Sequence, residues 1–136
     1  MEVYVKNNRK NTCGIIEFRN PAGNSLQSNS LVEIRKNLLE LEADSHVKVI
    51  ILQSVGSSAF CGGASLKEMK RLRDLEQAIQ FFMGFADVIN TLRKLSKFVI
   101  ARVHGKVVGG GVGLVAACDY AIATKNAYSK LSELSI

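Results

Sequence analysis

Two glycine-bearing stretches hold the residue types that are best placed for chemistry. Residues 107–119 read VVGGGVGLVAACD, and residues 60–69 read FCGGASLKEM. Because glycine lacks a Cβ, a glycine run at the start of a helix lets a ligand lie against the backbone and leaves N–H groups free to donate. A helix N-terminus also carries partial positive charge, so such a turn suits a phosphate or an oxygen that becomes negative during a reaction. Two such turns facing each other would give one N–H each to a single oxygen, which is the geometry of an oxyanion hole.

The common nucleotide-binding motifs do not account for these glycines. The stretch GKVVGGGVG at residues 105–113 contains no G-x-G-x-x-G with an acidic residue about 20 positions later, so it is not a dinucleotide fingerprint. It does not end in Gly-Lys-Ser/Thr either, which excludes a P-loop. Tight packing at a strand-to-helix turn is the alternative reason for such a run.

Cysteine and histidine are sparse and widely spaced. Cys13, Cys61 and Cys118 show no metal-ligand spacing, and His46 and His104 stand far apart. We therefore expect free thiols, no metal site and no bound cofactor.

The net charge of +6 raises the possibility of a nucleic-acid partner. The basic residues are scattered, however, and the run KEMKRLR at residues 67–73 is interrupted by Glu68 and Met69. We interpret them as a solvated face and expect no nucleic-acid partner, while a small phosphorylated ligand stays compatible with the charge.

Composition indicates a folded polypeptide of one domain or part of one. The chain has 136 residues, of which 47% are apolar and 22% charged. It contains no uninterrupted apolar run of about 18 residues, and its first residues lack the order of a signal peptide. We therefore expect a cytoplasmic protein without a membrane partner.

Alternating strand-like and helix-like segments predict an α/β fold with largely parallel pairing. Residues 2–6 and 13–18 should form a hairpin across NNRKNT. Ser30 and Glu33 have capping-box spacing, which predicts a helix over residues 31–43. Further strands are expected at 47–54, 97–103 and 119–124, a loop at 55–65, a short helix at 66–72 and another helix opening at the glycine triplet.

A longer helix is predicted to follow Asp74, which together with Gln77 can cap it. Its apolar residues recur at helical intervals and should form one buried stripe. The stripe comprises Leu75, Ala78, Ile79, Phe82, Phe85, Ile89 and Leu92.

Taken in order, several motifs resemble the enoyl-CoA hydratase/isomerase (crotonase) superfamily. They are NPAGNSL at 20–26, VKVIILQS at 47–54, FCGGASLKEM at 60–69, VIARVHGKVVGGGVGLVAACDYAIAT at 99–124 and LSEL at 131–134. The resemblance implies a spiral of strand-strand-helix turns that binds acyl-CoA thioesters, with coenzyme A as part of the substrate. It makes residues 1–136 the N-terminal part of a single core domain, without the C-terminal helices that build trimers and hexamers in the family.

The same resemblance implies roles for individual residues. The two backbone donors to the thioester oxygen fall on Ala64 and Gly110. The positions that match the coenzyme A-lining stretches are Ala22, Gly23, Gly62, Ala64, Ser65, Leu66 and Gly109. Ser65 stands where relatives commonly have aspartate.

Acid–base chemistry is where the sequence departs from the family pattern. Well-known hydratases have one glutamate three residues beyond the oxyanion glycine and another about twenty residues later; here these positions are Gly113 and Glu133. Glu133 is the expected catalytic acid/base. Glu68 and Asp119 are rival carboxylates, for which a surface helix position and a turn before a strand are the expected roles.

Three functions are compatible with this pattern. A hydratase of short or branched 2-enoyl-CoA is favoured, because the sequence is similar to bacterial methylglutaconyl-CoA hydratase-like proteins and to β-branching dehydratases that also lack the first glutamate. A Δ3,Δ2-enoyl-CoA isomerase that uses Glu133 as its single acid/base is the alternative, since moving a double bond needs one carboxylate. A non-catalytic coenzyme A-binding or assembly fragment is the alternative of another class.

Overall fold

The computed structural model describes residues 2–135, and for Ser135 the backbone alone. Its eight strands are β1 (Tyr4–Lys10), β2 (Cys13–Arg19), β3 (Val49–Ser54), β4 (Ala59–Cys61), β5 (Phe98–Val103), β6 (Lys106–Val108), β7 (Tyr120–Ala123) and β8 (Ser129–Lys130). The helices are α1 (Ser28–Ala43), α2 (Leu66–Met69), α3 (Leu75–Lys94) and α4 (Gly110–Ala117), and a 3₁₀ turn spans Ser132–Ser135. No helix in this part of the chain is long and apolar enough to cross a membrane.

Two sheets wind together as a spiral of strand-strand-helix turns. The first strand of every turn, together with β2, forms a five-stranded sheet in the order β1-β2-β3-β5-β7, in which only the β1–β2 hairpin is antiparallel. The second strand of the later turns joins a small parallel sheet in the order β4-β6-β8. This arrangement confirms the predicted α/β spiral with largely parallel pairing.

The core lies between the large sheet and helices α1 and α3. Strands β2 and β3 alternate buried and half-buried residues, as expected for a sheet with one face on a core. Phe18 of β2 and Phe60 of β4 are almost fully buried and meet edge to face with ring centroids 5.5 Å apart. This aromatic pair joins the two sheets, and each ring contributes about 1.5–3 kcal/mol by burial.

The strand predictions need two corrections. Strand β1 continues to Lys10, so the hairpin turn consists of Asn11 and Thr12 rather than six residues, and Asn11 adopts the positive φ of 56° that such a turn requires. Strands β4, β6 and β8 were not predicted, and residues 55–65, which contain β4, were expected to form a loop. They have only three, three and two residues, which is too short for a period-two pattern.

Helix α1 begins earlier than predicted, and the predicted capping box of Ser30 and Glu33 is wrong. The helix starts at Ser28 behind Gln27, which makes no side-chain cap, and Ser30 is already a buried residue inside it. The Ser28 N–H is satisfied from another element, because it donates to the Glu68 carboxylate at 2.8 Å. Capping from a distant residue leaves no local sequence signal.

The predicted cap of α3 is confirmed, but its predicted apolar stripe is partly wrong. Gln77 N–H donates to Asp74 Oδ1 at 2.8 Å. The buried residues of α3 are Phe81, Phe85, Val88, Thr91 and Leu92, while Leu75, Ile79 and Phe82 are half or more exposed. The buried stripe is therefore displaced around the helix from the predicted one, although Phe85 and Leu92 belong to both.

Candidate active site

The small sheet brings the predicted site residues to one edge. Strands β4, β6 and β8 are parallel, with Cys61 opposite Val107 and Val108 opposite Lys130, so their carboxyl ends lie side by side. The chain leaving β4 carries Ala64, the chain leaving β6 carries Gly110, and the chain leaving β8 carries Glu133. Three segments that are far apart in sequence thus meet because short parallel strands end together.

The first two of these segments are in direct contact at Gly63. A Cβ on this residue would lie 2.9 Å from the Val108 carbonyl oxygen and 3.7 Å from the Gly110 nitrogen. Gly63 also has a φ of +86°, which a residue with a side chain rarely adopts. Only glycine therefore allows the Ala64 loop to approach the glycine triplet so closely.

The amide groups of Ala64 and Gly110 are left free for a ligand. Leu26 N–H donates to Gly63 O at 2.7 Å and Ser65 N–H donates to Leu26 O at 2.9 Å, so the backbone on both sides of Ala64 is fixed. Within residues 2–135, neither the Ala64 N–H nor the Gly110 N–H donates to a backbone carbonyl. Two fixed, unpaired donors in neighbouring loops are what an oxyanion hole requires.

Glu133 reaches the same place from the 3₁₀ turn. Its Oε1 atom lies 2.8 Å from the position that a Cβ on Gly109 would occupy, so the carboxylate rests on the Cα of the residue just before Gly110. Gly109 has a φ of +55°, and its N–H donates to Lys130 O at 2.9 Å. A side chain at position 109 would collide with the Glu133 carboxylate, and the residue at this position is glycine.

A cavity of about 470 Å³ opens beside these loops. Its lining includes three of the residues predicted to contact coenzyme A, namely Ala22, Gly23 and Gly62. A Cβ on Gly62 would lie 2.8 Å from the Gly23 carbonyl oxygen, so the loops that carry these residues touch. The structure therefore brings these three predicted residues together.

Two further residues predicted to contact coenzyme A lie elsewhere. Ser65 is buried, and its Oγ accepts the Glu68 N–H at 3.3 Å as the N-cap of α2. Leu66 is 69% exposed on the first turn of that helix. Neither lines the 470 Å³ cavity, and their contact with coenzyme A stays a prediction.

The rival carboxylates are held by backbone groups away from the three loops. Glu68 accepts hydrogen bonds from the N–H and the hydroxyl of Ser28 and thereby caps α1. Asp119 accepts the Val99 N–H at 2.8 Å and its own N–H donates to Val99 O at 2.9 Å, so it fixes the turn into β7 as expected. Gly113, at the position of the first family glutamate, faces Ile89 of α3.

Two cysteines, the buried Cys61 and the half-buried Cys118, have raised thiol pKa values. Burial raises the pKa of the Cys61 thiol to about 11, and burial together with the neighbouring Asp119 raises that of Cys118 to about 12. Both groups therefore stay protonated and weakly nucleophilic. Within residues 2–135, His, Cys, Asp and Glu side chains form no group of three that could hold a metal ion.

Sequence reasoning missed three residues around the site. Lys106 and Tyr128 line the cavity, and the ring of Phe85 lies against Gly110. Phe85 belonged to a predicted apolar stripe, but nothing in helical spacing distinguishes a residue that packs on a functional loop from an ordinary core residue. Lys106 is the first residue of β6 and Tyr128 directly precedes β8, and both strands are too short to be recognised in the sequence.

Comparison with known proteins supports the family resemblance. The enoyl-CoA hydratase/isomerase family model matches residues 8–136. The chain is 38% identical over 109 residues to the short-chain-enoyl-CoA hydratase of Clostridium acetobutylicum, covering 80% of this chain and 41% of that protein. It is 34% identical over 113 residues to the mitochondrial methylglutaconyl-CoA hydratase of Rattus norvegicus, covering 83% of this chain and 36% of that protein.

A solved structure shows the same fold. The enoyl-CoA hydratase of Bacillus anthracis superposes with a TM-score of 0.84 at 28% identity, over 99% of this chain and 52% of that one. The chain thus spans about half or less of the length of these three relatives. Because the family model matches nearly the whole sequence, this chain belongs to the enoyl-CoA hydratase/isomerase family.

Proposed function

We propose that this chain carries the oxyanion hole and the acid/base residue of an enoyl-CoA hydratase that acts on short or branched 2-enoyl-CoA thioesters. The observation that carries the proposal is the meeting of Ala64, Gly110 and Glu133 at the carboxyl ends of β4, β6 and β8. Two relatives at 34–38% identity have names that describe hydratases of a short-chain and a branched enoyl-CoA.

Coenzyme A would bind along the cavity lined by Ala22, Gly23 and Gly62. Lys106, whose side chain is exposed and forms no ion pair within residues 2–135, supplies a positive charge to this cavity for the phosphates of coenzyme A. The small residues on the cavity wall let the pantetheine arm lie close to the backbone, which leads the thioester toward Ala64.

In the proposed reaction, the Ala64 and Gly110 N–H groups donate to the thioester oxygen and stabilise the enolate over the neutral thioester. Glu133 takes a proton from water as the water oxygen forms a bond to Cβ, and the π electrons move onto the thioester oxygen. Glu133 then returns the proton to Cα, and the enolate collapses to the 3-hydroxyacyl thioester. One carboxylate serves both steps, which is consistent with the absence of a side chain at Gly113.

The isomerase alternative uses the same residues. Glu133 would remove a proton from Cα of a 3-enoyl-CoA and return it to the γ carbon, with the enolate held by the same two donors. Glu133 beside Gly109 is sufficient for this alternative, because double-bond migration needs one acid/base group and no activated water.

Several properties of the whole protein stay predictions. Assembly into trimers or hexamers, a cytoplasmic location, and the absence of a metal or separate cofactor follow from the family resemblance and the composition. A non-catalytic role for residues 1–136 would require that the three loops bind a thioester without converting it.

A panel of enoyl-CoA thioesters tests the proposal. Conjugated short and branched 2-enoyl-CoA lose their absorbance on hydration, whereas 3-enoyl-CoA gain conjugated absorbance on isomerisation. The Glu133→Gln variant should lower kcat by about 10³-fold in either case, which is within the range for an essential proton-transfer group. The matched control is Glu33→Gln, which changes an exposed glutamate on α1 and should leave kcat unaltered.

Each result has a distinct meaning. Loss of conjugated absorbance with a 2-enoyl-CoA supports the hydratase. A gain of conjugated absorbance with a 3-enoyl-CoA would show that the protein is the isomerase instead. Binding of the thioester without either change would make the chain a coenzyme A-binding protein. Unchanged kcat in Glu133→Gln would remove Glu133 from its role.

A further inference from the structure

We propose that Phe85 of α3 is a positioning residue, whose ring fixes the Gly110 peptide so that its N–H points at the thioester oxygen. This inference rests on the proposed function of Gly110 as an oxyanion donor. It assigns to the apolar face of α3 a part in the reaction that core packing alone would not give it.

The first observation is the closeness of the contact. A Cβ on Gly110 would lie 2.5 Å from Cε1, 2.7 Å from Cδ1 and 3.0 Å from Cζ of Phe85. The edge of the ring therefore lies directly on the Cα of Gly110, with no room for a methyl group. Phe85 is only 8% exposed, so its own packing holds the ring in place.

The second observation is that, in the described part of the chain, no backbone hydrogen bond fixes the direction of the Gly110 N–H, although Gly110 is the first residue of α4. Its N–H makes no backbone hydrogen bond within residues 2–135, and the residues on either side of it are also glycines. Unrestrained, a glycine triplet would have more backbone freedom than any other sequence of three residues. A donor that must be preorganised for catalysis therefore has to be fixed by contacts with neighbouring side chains.

The third observation is that the triplet is held from two sides. Phe85 contacts Gly110, and Cys61 of β4 contacts Gly111, where a Cβ would lie 2.8 Å from the sulfur. One turn further along α3, Ile89 contacts Gly113, with a Cβ position 3.1 Å from Cδ1. The pairs Phe85–Gly110 and Ile89–Gly113 form a seam along which α3 sets the orientation of α4.

Replacing Phe85 by leucine should separate positioning from binding. The variant keeps an apolar side chain but removes the ring edge, so Gly110 gains freedom and the donor is misplaced in the transition state. We expect kcat to fall roughly tenfold or more with KM changed less than threefold, because the coenzyme A cavity does not involve Phe85. The ¹⁵N relaxation of the Gly110 amide should show increased mobility without any ligand.

Phe81→Leu is the matched control. Phe81 lies one turn earlier on the same helix and is 2% exposed, so its replacement removes a comparable buried volume. Its ring meets Phe82 edge to face at 5.1 Å, and Gly110 is in contact with Phe85 instead. We expect a similar loss of thermal stability, but unchanged kcat and unchanged Gly110 relaxation.

A complementary double variant gives a sign that a purely structural role would not produce. Gly110→Ala alone should lower kcat, because the methyl group meets the Phe85 ring. In the Phe85→Leu background the same change should raise kcat, since the methyl group occupies the vacated space and restricts a backbone whose φ alanine can adopt. The N–H donor itself is present in all four proteins.

The outcomes distinguish this inference from the proposed function. A rigid Gly110 amide in Phe85→Leu, or additive effects of the two substitutions, would overturn the positioning role even if the chain is a fully active hydratase. An unsubstituted chain that turns over no thioester, while Phe85→Leu still loosens Gly110, would overturn the proposed function and with it the catalytic meaning of the contact.

Discussion

The two sheets of this protein are built by different means. The five-stranded sheet consists of strands of four to seven residues, and its strands β2 and β3 alternate buried and half-buried side chains. The three-stranded sheet consists of strands of two or three residues, and the candidate site lies in the loops at their carboxyl ends. The large sheet is stabilised by apolar side chains that pack in the core. At the carboxyl edge of the small sheet, glycines allow neighbouring loops to approach each other closely.

Removing volume from the large sheet should have the largest effect on stability. Leu52 of β3 is fully buried, so Leu52→Ala should lower the free energy of unfolding by about 2–5 kcal/mol. Chemical denaturation measures this loss. The kcat of the protein that stays folded should change little, because Leu52 pairs with β2 and β5 inside the large sheet. A tenfold fall in kcat at a temperature where the variant is folded would contradict the separation of the two sheets.

Adding volume at the small sheet should affect both stability and activity. Gly63→Ala places a methyl group 2.9 Å from Val108 O at a φ of +86°, so we expect a loss of about 2–3 kcal/mol and a fall in kcat as the donors separate. Gly56→Ala is the control, because Gly56 also has a positive φ of 108° but nothing within 4 Å of its Cβ position. The control should show only the backbone cost of about 1–2 kcal/mol and normal kcat. Equal effects of the two variants would show that the close approach at Gly63 has no role.

A smaller effect is expected for the carboxylate that links three strands of the large sheet. Partial burial acts to raise the pKa of Glu17, but hydrogen bonds from Gln53, Tyr4 and Lys6 outweigh it and hold the pKa below its ordinary value. Because the folded-state pKa is lowered, the stabilisation is present above the unfolded pKa of about 4.3 and is lost as the pH falls through the folded value.

The Glu17→Gln variant measures this contribution. It should be less stable than the unsubstituted chain by up to about 1 kcal/mol at pH 7, and the difference should disappear in acid. Thermal unfolding followed from pH 7 to pH 3 gives both curves. A difference that grows on acidification would contradict the direction of the pKa shift.

The smallest effect is expected on the exposed face of α3. Leu75 is 75% exposed, so Leu75→Gln should change the free energy of unfolding by no more than about 0.5 kcal/mol. Had the predicted stripe been correct, this substitution would have buried a polar group at a cost of several times that value. Denaturant titration separates the two expectations.

The difference between the two sheets also explains which parts of the fold could be predicted from the sequence. The large sheet was predictable, because β2, β3 and β5 carry apolar side chains in recognisable runs and Asp74 caps α3 as its spacing indicates. The face of α3 was partly misassigned, since both Phe81 and Phe82 are apolar and only packing against α1 and α4 decides between them. The spacing of apolar residues therefore predicts which side of a helix is buried only to within about one residue.

The residues of the candidate site were proposed from the sequence, but the strands that bring them together were not predicted. Ala64, Gly110 and Glu133 were assigned from family motifs, whereas the strands that align them are too short to have a pattern. The capping of α1 by Glu68 and the contact of Phe85 with Gly110 join residues 40 and 25 positions apart, and no local signal marks either one. Long-range contacts of this kind follow from the fold and not from spacing.

The vibrational spectrum of a bound thioester tests the central claim most directly. A short 2-enoyl-CoA labelled with ¹³C at the carbonyl would be bound to the Glu133→Gln variant, which retains both N–H donors but should not turn the ligand over. If Ala64 and Gly110 form an oxyanion hole, the carbonyl stretch shifts to lower frequency than in water, because two fixed donors polarise the bond more than solvent does. A bound thioester whose carbonyl stretch stays at its position in water would contradict the account.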